Sequence, residues 1–387
     1  MPSSIKKRVT RFLVVAVILL LVTYLVSIIS YSKYTRGLYE LLAFFLIVDL
    51  AVALRGAGRD AATVVATVVF GLAVLELGCA ATEPNSSIET RGFSTSRPVL
   101  GWGPSTPGSY HGYRTGAGGS LIYDADYTID ENLLRATVSA RTGPTAAFFG
   151  DSLTFGQGLS DAQTLPQVFA DLSDRKMRVL NFGFPGYGPQ QFLRAVETGL
   201  FDPLLTDAKI FVYQTAAWHA ERSSCLAGFM TRAARYELRD GEPVYVGACA
   251  TGMQRALRDV FISGAAYRRF LQPFTNALGQ QDIELYIAEL RRSAELVKQK
   301  YGVRLIVLYL SEGDDYLQKT GFTDAMIIQR LKQGGMDVVE GTLNPQAFPP
   351  GTQFRIPGDG HPTAIADRAR AELLRDFLAT RTASVSD

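Results

Sequence analysis

Apolar and polar positions along this chain fall into two regimes. In the first eighty residues the apolar positions form long runs: 12–30 carries no charge, 38–54 is apolar apart from Glu40 and Asp49, and 61–80 is apolar apart from Glu76. Each run is near the roughly 20 residues that cross a bilayer core as a helix. The pattern predicts a membrane region over 1–81 with three transmembrane helices. Two further apolar runs follow the first, and no small-residue cleavage site closes it, which argues against a cleaved leader.

Beyond residue 81 the apolar runs shorten. From 82 to 144 the chain is rich in Gly, Ser, Thr, Pro and Tyr, with period-two pieces such as 121–129, and predicts a small β-rich linker or arm. From 145 onward short apolar runs alternate with helical spacing. Strands are predicted at 146–150, 178–182, 209–214 and 303–310, and helices at 164–172, 192–198, 282–301, 323–332 and 364–380. Such alternation predicts an α/β fold with a mostly parallel sheet and helices on both faces. The pattern lapses between 219 and 281, an insertion whose pieces 236–238 and 243–246 can form a hairpin around Asp240-Gly241 and whose position suits it to shaping a site.

Charge then orients the chain. With 39 basic and 37 acidic residues there is no case for a nucleic-acid partner. Lys6, Lys7, Arg8, Arg11, Arg55 and Arg59 flank the apolar runs on one side, against Lys33 and Arg36 on the other. The basic excess puts the amino terminus inside and everything after the third run outside the cytoplasm. Asp49 is costly in lipid, so it faces another helix or marks a segment that does not fully cross, or it contacts a membrane-protein partner. Leu77-Gly78-Cys79 has the form of a lipoprotein box, but Glu76 takes the place of an aliphatic residue. Cys225 and Cys249 fall in the outside portion, where an even pair reads as a disulfide closing a loop of about 25 residues, worth about 3 kcal/mol; two buried free thiols are the alternative. No His or Cys lies at metal-ligand spacing around either cysteine, and no cofactor is implied.

The candidate chemistry begins where the strand at 146–149 runs into Gly150-Asp151-Ser152. Open α/β folds put their sites at the carboxyl edge of the sheet, so Ser152 is the candidate nucleophile. It does not sit in a Gly-x-Ser-x-Gly elbow, because Thr154 stands at the second glycine's place. A serine hydroxyl needs a base, ordinarily a histidine oriented by a carboxylate. Of the three histidines, His111 lies in the β-rich segment and reads as a surface residue, whereas His361 lies in Gly358-Asp359-Gly360-His361-Pro362-Thr363, just before the last predicted helix.

A nucleophile block first and an Asp-x-His block last resemble the SGNH, or GDSL, hydrolases. Leu100-Gly101-Trp102 and 127–135 are similar to segments that precede the catalytic domain in a membrane-anchored bacterial branch of that family. The resemblance covers roughly 145–380 within the 145–387 domain. It implies a three-layer α/β/α, flavodoxin-like sheet, with Ser152 as nucleophile, His361 as base and Asp359 as orienting acid. The commonest family form has its acid three residues before the histidine, where this chain has Gly358. Asn181-Phe182-Gly183-Phe184-Pro185-Gly186 resembles the second family block, which implies that the Gly186 N–H joins that of Ser152 in an oxyanion hole.

The third block departs from the family. Gly-x-Asn-Asp is expected after the third strand, and the chain reads Phe211-Val212-Tyr213-Gln214-Thr215-Ala216-Ala217-Trp218-His219, with Ala217 at the asparagine's place. Losing one oxyanion donor costs roughly 3 to 4 kcal/mol where nothing substitutes. His219 and Gln214 are the candidate substitutes. The implied function is a membrane-anchored serine esterase of the bacterial inner membrane. Its catalytic domain lies in the periplasm and acts on an O-acyl ester of a cell-envelope polysaccharide or lipid. An O-acyltransferase using the same acyl-serine is the alternative, and a non-catalytic binding component with the same fold is a third reading.

Overall fold

The computed structural model of the protein describes residues 10–19, 21, 22, 24, 33–83, 87–90, 92–275 and 277–385. In chain order the elements are α1 (Thr10–Leu19), α2 (Thr35–Ala53), α3 (Ala57–Thr82), β1 (Ser87–Glu89), β2 (Ser94–Arg97), β3 (Gly101–Pro104), β4 (Gly108–Thr115), β5 (Leu121–Ile129), β6 (Thr145–Phe149), α4 (Ser152–Phe155), α5 (Leu165–Leu172), β7 (Arg178–Asn181) and α6 (Pro189–Thr198). They continue with β8 (Ala208–Ala216), α7 (His219–Ser223), β9 (Ala234–Arg239), β10 (Glu242–Ala248), α8 (Gly252–Ile262), α9 (Ala265–Phe270), α10 (Gln272–Thr275), α11 (Gln280–Tyr301), β11 (Leu305–Leu310), α12 (Asp314–Leu317), α13 (Asp324–Gln333), β12 (Asp337–Glu340) and α14 (Ala364–Val385). Two compact units result: residues 1–84 with 256–275, and 85–255 with 276–387.

Of the three expected membrane crossings the described residues of the first unit support one. Among the described residues one helix, α3, is long and apolar enough to cross a bilayer, and Val64, Val68 and Leu72 stand exposed along it. Helix α2 has the length but carries Arg36, Glu40 and Asp49, three charges that lipid penalises. These charges are paired within the chain: Arg36 Nε donates to Glu40 Oε1 at 3.0 Å, and Arg11 Nη2 to Asp49 Oδ1 at 2.7 Å. Of the expected first span, α1 is described, and the stretch 25–30 lies outside the described residues.

In the second unit a five-stranded parallel sheet runs in the order β12-β11-β8-β6-β7. Successive residues alternate between its faces. Ala146 and Phe148 of β6, Ile210 and Val212 of β8, and Ile306 and Leu308 of β11 pack with Leu165, Phe169 and Leu374 of α5 and α14. Ala147, Phe149, Phe211, Tyr213, Val307 and Tyr309 pack on the other face with Phe192, Tyr286, Leu290 and Ile327 of α6, α11 and α13. Burial of both faces is why these strands read as unbroken apolar runs. The strand order reverses between β6 and β8, and the crevice at such a switch point is where ligands of open α/β sheets bind.

The segment read as an arm builds a β1-β4-β5 antiparallel sheet and a β2-β3 hairpin. Its Phe93, Leu100, Tyr127 and Ile129 share one apolar cluster with Phe155, Phe184 and Tyr187 of the sheet domain. At the centre of this junction Arg135 is a buried cation whose side chain shows no exposure. Its Nε donates to Asp161 Oδ1 at 2.7 Å, Nη1 to Phe155 O at 3.2 Å and Nη2 to Leu159 O at 2.8 Å. The Tyr127 and Phe155 rings lie 4.5 Å from its guanidinium carbon, a desolvated cation–π arrangement.

The insertion divides between the units. Strands β9 and β10 pair as a hairpin, and Asp240 and Gly241 both take positive φ, as a two-residue type I′ turn requires. Cys225 and Cys249 form a disulfide with a Cα separation of 5.6 Å. Residues 256–275, by contrast, belong with the N-terminal helices.

Replacing Arg135 by Met should destabilise the sheet domain by about 3–5 kcal/mol, because it leaves the buried carbonyls of Phe155 and Leu159 without their donor. Lysine should restore little of this, lacking the fork that reaches them together. Thermal denaturation of the two variants beside wild type checks both statements.

Candidate active site

The site is built at the carboxyl end of β6. The strand is buried along its whole length and stops at Gly150, whose φ is +152°. A Cβ there would lie 2.2 Å from Thr154 Oγ1, so no other residue fits this bend. Asp151 then caps α4, its Oδ1 accepting from Leu153 N at 2.9 Å. Ser152 follows as the first helical residue, so its own N–H has no intrahelical acceptor.

The last block comes back to this turn. His361 Nε2 lies 2.9 Å from Ser152 Oγ, and His361 Nδ1 lies 2.7 Å from Asp359. An ionised carboxylate can only accept, so Nδ1 carries the proton and Nε2 is left with a lone pair toward the hydroxyl. Gly358, at the place of the family's commonest acid, has φ +78°, and a Cβ there would press on Ile122 at 3.2 Å. That backbone favours glycine, and the carboxylate comes from the next residue instead.

Sequence reasoning missed the partner that completes this chain. Arg114, on β4, donates from Nη1 to Asp359 Oδ1 at 2.9 Å, and the Asp359 side chain is sealed from solvent. Burial alone would raise the Asp359 pKa. The hydrogen bond from His361, with the charge and hydrogen bond of Arg114, outweighs it and holds the carboxyl below its ordinary value. The signal for Arg114 was faint, a single basic residue in a polar, period-two strand 245 positions away.

Both proposed substitutes at the third block are placed by the structure. His219 is buried, with Nε2 3.1 Å from Asp151 Oδ2 and Nδ1 2.8 Å from Thr215 Oγ1. Both ring nitrogens are thus occupied, and the ring braces the turn at Gly150–Ser152. Burial first, then the nearby Arg222 cation, lowers its pKa and keeps it neutral. Arg222 Nη1 also donates to Asp151 Oδ2 at 2.7 Å, so the carboxylate stays ionised despite its burial, with a pKa well below the ordinary range. Gln214 accepts from Thr154 Oγ1 at 2.9 Å through its Oε1, and its buried Nε2 makes no hydrogen bond. Ala217 is buried and offers no donor side chain.

The second block forms the facing loop. Asn181 Nδ2 donates to Thr154 O at 2.9 Å while its Oδ1 accepts from Gly183 N at 3.0 Å, clamping this loop to α4. Gly186 sits in the turn beyond, beneath Trp102 and Phe229. Trp102 Nε1 donates to Pro185 O at 3.0 Å, and Tyr187 Oη returns a bond to Trp102 O at 2.7 Å. His111 lies apart from these residues, exposed on β4 between Asp124 and Asp126.

No family model and no curated protein match the chain. Solved structures do. A member of the lipolytic protein G-D-S-L family from Veillonella parvula is 12% identical, with 60% of this chain and 97% of that chain covered and a TM-score of 0.32. A lipase from a goat rumen metagenome is 12% identical over 61% of this chain and 97% of its own, at a TM-score of 0.31. An alpha/beta hydrolase enzyme from the metagenome of Lake Arreo is 15% identical over 63% and 95%, at 0.32.

The Arg114–Asp359 pair generates a pH signature. A depressed carboxyl pKa stabilises the fold above the unfolded value, about 3.9, and that contribution is lost as pH falls through the folded value. Arg114→Gln should therefore lower stability by about 1–2 kcal/mol near neutrality. The gap from wild type should close in acid, where the carboxyl is protonated. Melting temperatures across pH 3 to 7, an interval bracketing roughly the ordinary carboxyl titration, test this; a gap constant with pH would refute it.

Proposed function

We propose that this protein is a serine esterase of the SGNH type, held to a membrane by α3, with its catalytic domain on the extracytoplasmic face. The observation that carries the reading is the chain Asp359–His361–Ser152, with 2.7 Å and 2.9 Å links and the tautomer of a general base. Ser152 Oγ attacks the ester carbonyl as His361 Nε2 takes its proton. The tetrahedral oxyanion is met by the N–H groups of Ser152 and Gly186. Collapse expels the alcohol, which recovers the proton from His361 and leaves an acyl-serine. Water, deprotonated by the same histidine, then attacks the acyl carbonyl and releases the acid.

The substrate class is an O-acyl ester on an envelope polysaccharide or lipid. A sugar hydroxyl in place of the water would make the same machinery an O-acyltransferase. The Cys225–Cys249 disulfide supports an oxidising compartment, and α3 supports a membrane anchor.

The test is fluorophosphonate labelling followed by intact mass. Wild type should take up one probe per chain on Ser152. Ser152→Ala should take up none, and His361→Ala should label at least about a thousandfold more slowly. A folded wild type that stays unlabelled would refute the esterase reading and favour a non-catalytic binding role.

A further inference from the structure

Residues 256–275 carry an apolar surface that the described residues of their unit leave uncovered. Leu257, Val260 and Phe261 of α8 recur at helical spacing and are exposed, as are Phe270 and Leu271 and, at 81% exposure, Phe274. Around them stand Arg258, Arg268 and Arg269, against the single acid Asp259. Large apolar and aromatic side chains beside basic ones have the composition of a helix lying in a membrane interface.

The position of this segment is fixed by charged residues of the two long helices. Glu76, near the end of α3, accepts from the backbone N–H of Ala265 at 2.6 Å and of Ala266 at 3.0 Å. Arg36 of α2 donates from Nη1 to the carbonyls of Val260 and Phe261 at the end of α8. Arg268 forms two bonds to Glu83, each 2.9 Å. From Asp60 to Glu76 the helix rises about 24 Å at 1.5 Å per residue, close to the roughly 30 Å of a bilayer's hydrocarbon core. With Asp60 at one face of the hydrocarbon core, Glu76 would lie within about 6 Å of the other, and it holds α8–α10 near that level. A carboxylate at that depth with two backbone donors is satisfied.

We infer that 256–275 is a bilayer-surface element: α8–α10 lie on the lipid at the outer end of α3, with Leu257, Phe261, Phe270 and Phe274 in the boundary of headgroups and acyl chains and the exposed Arg269 among anionic headgroups. The inference rests on the reading of α3 as a membrane anchor. It gives the insertion a role other than shaping the catalytic crevice, since it would set how the chain enters and leaves the membrane surface.

The experiment uses the full chain reconstituted in vesicles of phosphatidylcholine with phosphatidylglycerol, with and without bromine atoms on the acyl chains near the headgroup. Three variants each add one tryptophan at an exposed position: Leu257→Trp, Phe274→Trp and, as a reporter on α3, Val68→Trp. The emission of wild type, from Trp102 and Trp218, is subtracted. Bromolipid should quench the added emission of Leu257→Trp and Phe274→Trp at least twofold, as it should that of Val68→Trp when bromines are placed deep in the tails. Quenching of Val68→Trp alone would overturn the inference while keeping the anchor, and would mean that water, a second copy or another protein covers this face. No quenching of Val68→Trp would overturn the anchor reading and the inference with it.

Discussion

A guanidinium can be buried only where its N–H groups find acceptors, and this requirement at Arg135 fixes the shape of the domain around it. The acceptors are carbonyls of Phe155, Gly156 and Leu159, in the loop that follows Ser152, together with the Asp161 carboxylate. That loop cannot relax without abandoning a charge in the interior. The backbone of Arg135 also bridges to Ile129 at the end of β5 and to Asn181 at the end of β7. One residue thus joins the β-rich segment, the turn at Ser152 and the loop that follows β7. A segment that reads as a linker is for this reason part of the domain that holds the candidate site.

The site also separates two carboxylate–histidine pairs by their surroundings. Asp151 and His219 are both sealed, with every ring nitrogen taken and Arg222 neutralising the carboxylate. Nothing in that pair is free to accept a proton from a serine. Asp359 instead holds His361 by Nδ1, so the ring's Nε2 faces Ser152, and the ring retains partial exposure. Arg114 and Arg222 play equivalent parts, each holding a buried carboxylate ionised so that a histidine can lean on it. The difference between the two histidines lies in what the outer ring nitrogen meets: Thr215 in one and the Ser152 hydroxyl in the other.

Much of this was legible in the sequence where the physics is local. Strands buried on both faces read as apolar runs, and helices against them read at their period, so β6, β8, β11 and α11 sat close to their expected bounds. β12 escaped notice, being four residues at the sheet edge, only one of them buried. The Asp240-Gly241 hairpin was local turn chemistry and was readable as such. Arg114, Arg135 and Arg222 were not, because an arginine's meaning comes from acceptors that the fold brings from distant positions. For the second apolar run the charges carried the warning: Asp49 reads from the sequence as a residue that has to find a partner or mark a segment that does not cross, and in the fold it is paired with Arg11.

The same reasoning accounts for the alanine at the third block. An asparagine at 217 would offer a donor from the end of β8, but in this chain the end of β8 is used differently. Thr215 and His219 on either side of Ala217 are bound into the network that holds Asp151, and Gln214 is bonded to Thr154. The strand end positions the nucleophile turn from beneath. In the proposed reaction the oxyanion is then left to backbone N–H groups, whose directions are set by the turns that carry them. The Asn181 clamp, the Arg135 cradle and the Trp102–Pro185 bond fix those turns, so in that proposed reaction rigid backbone would stand where a third side-chain donor is missing.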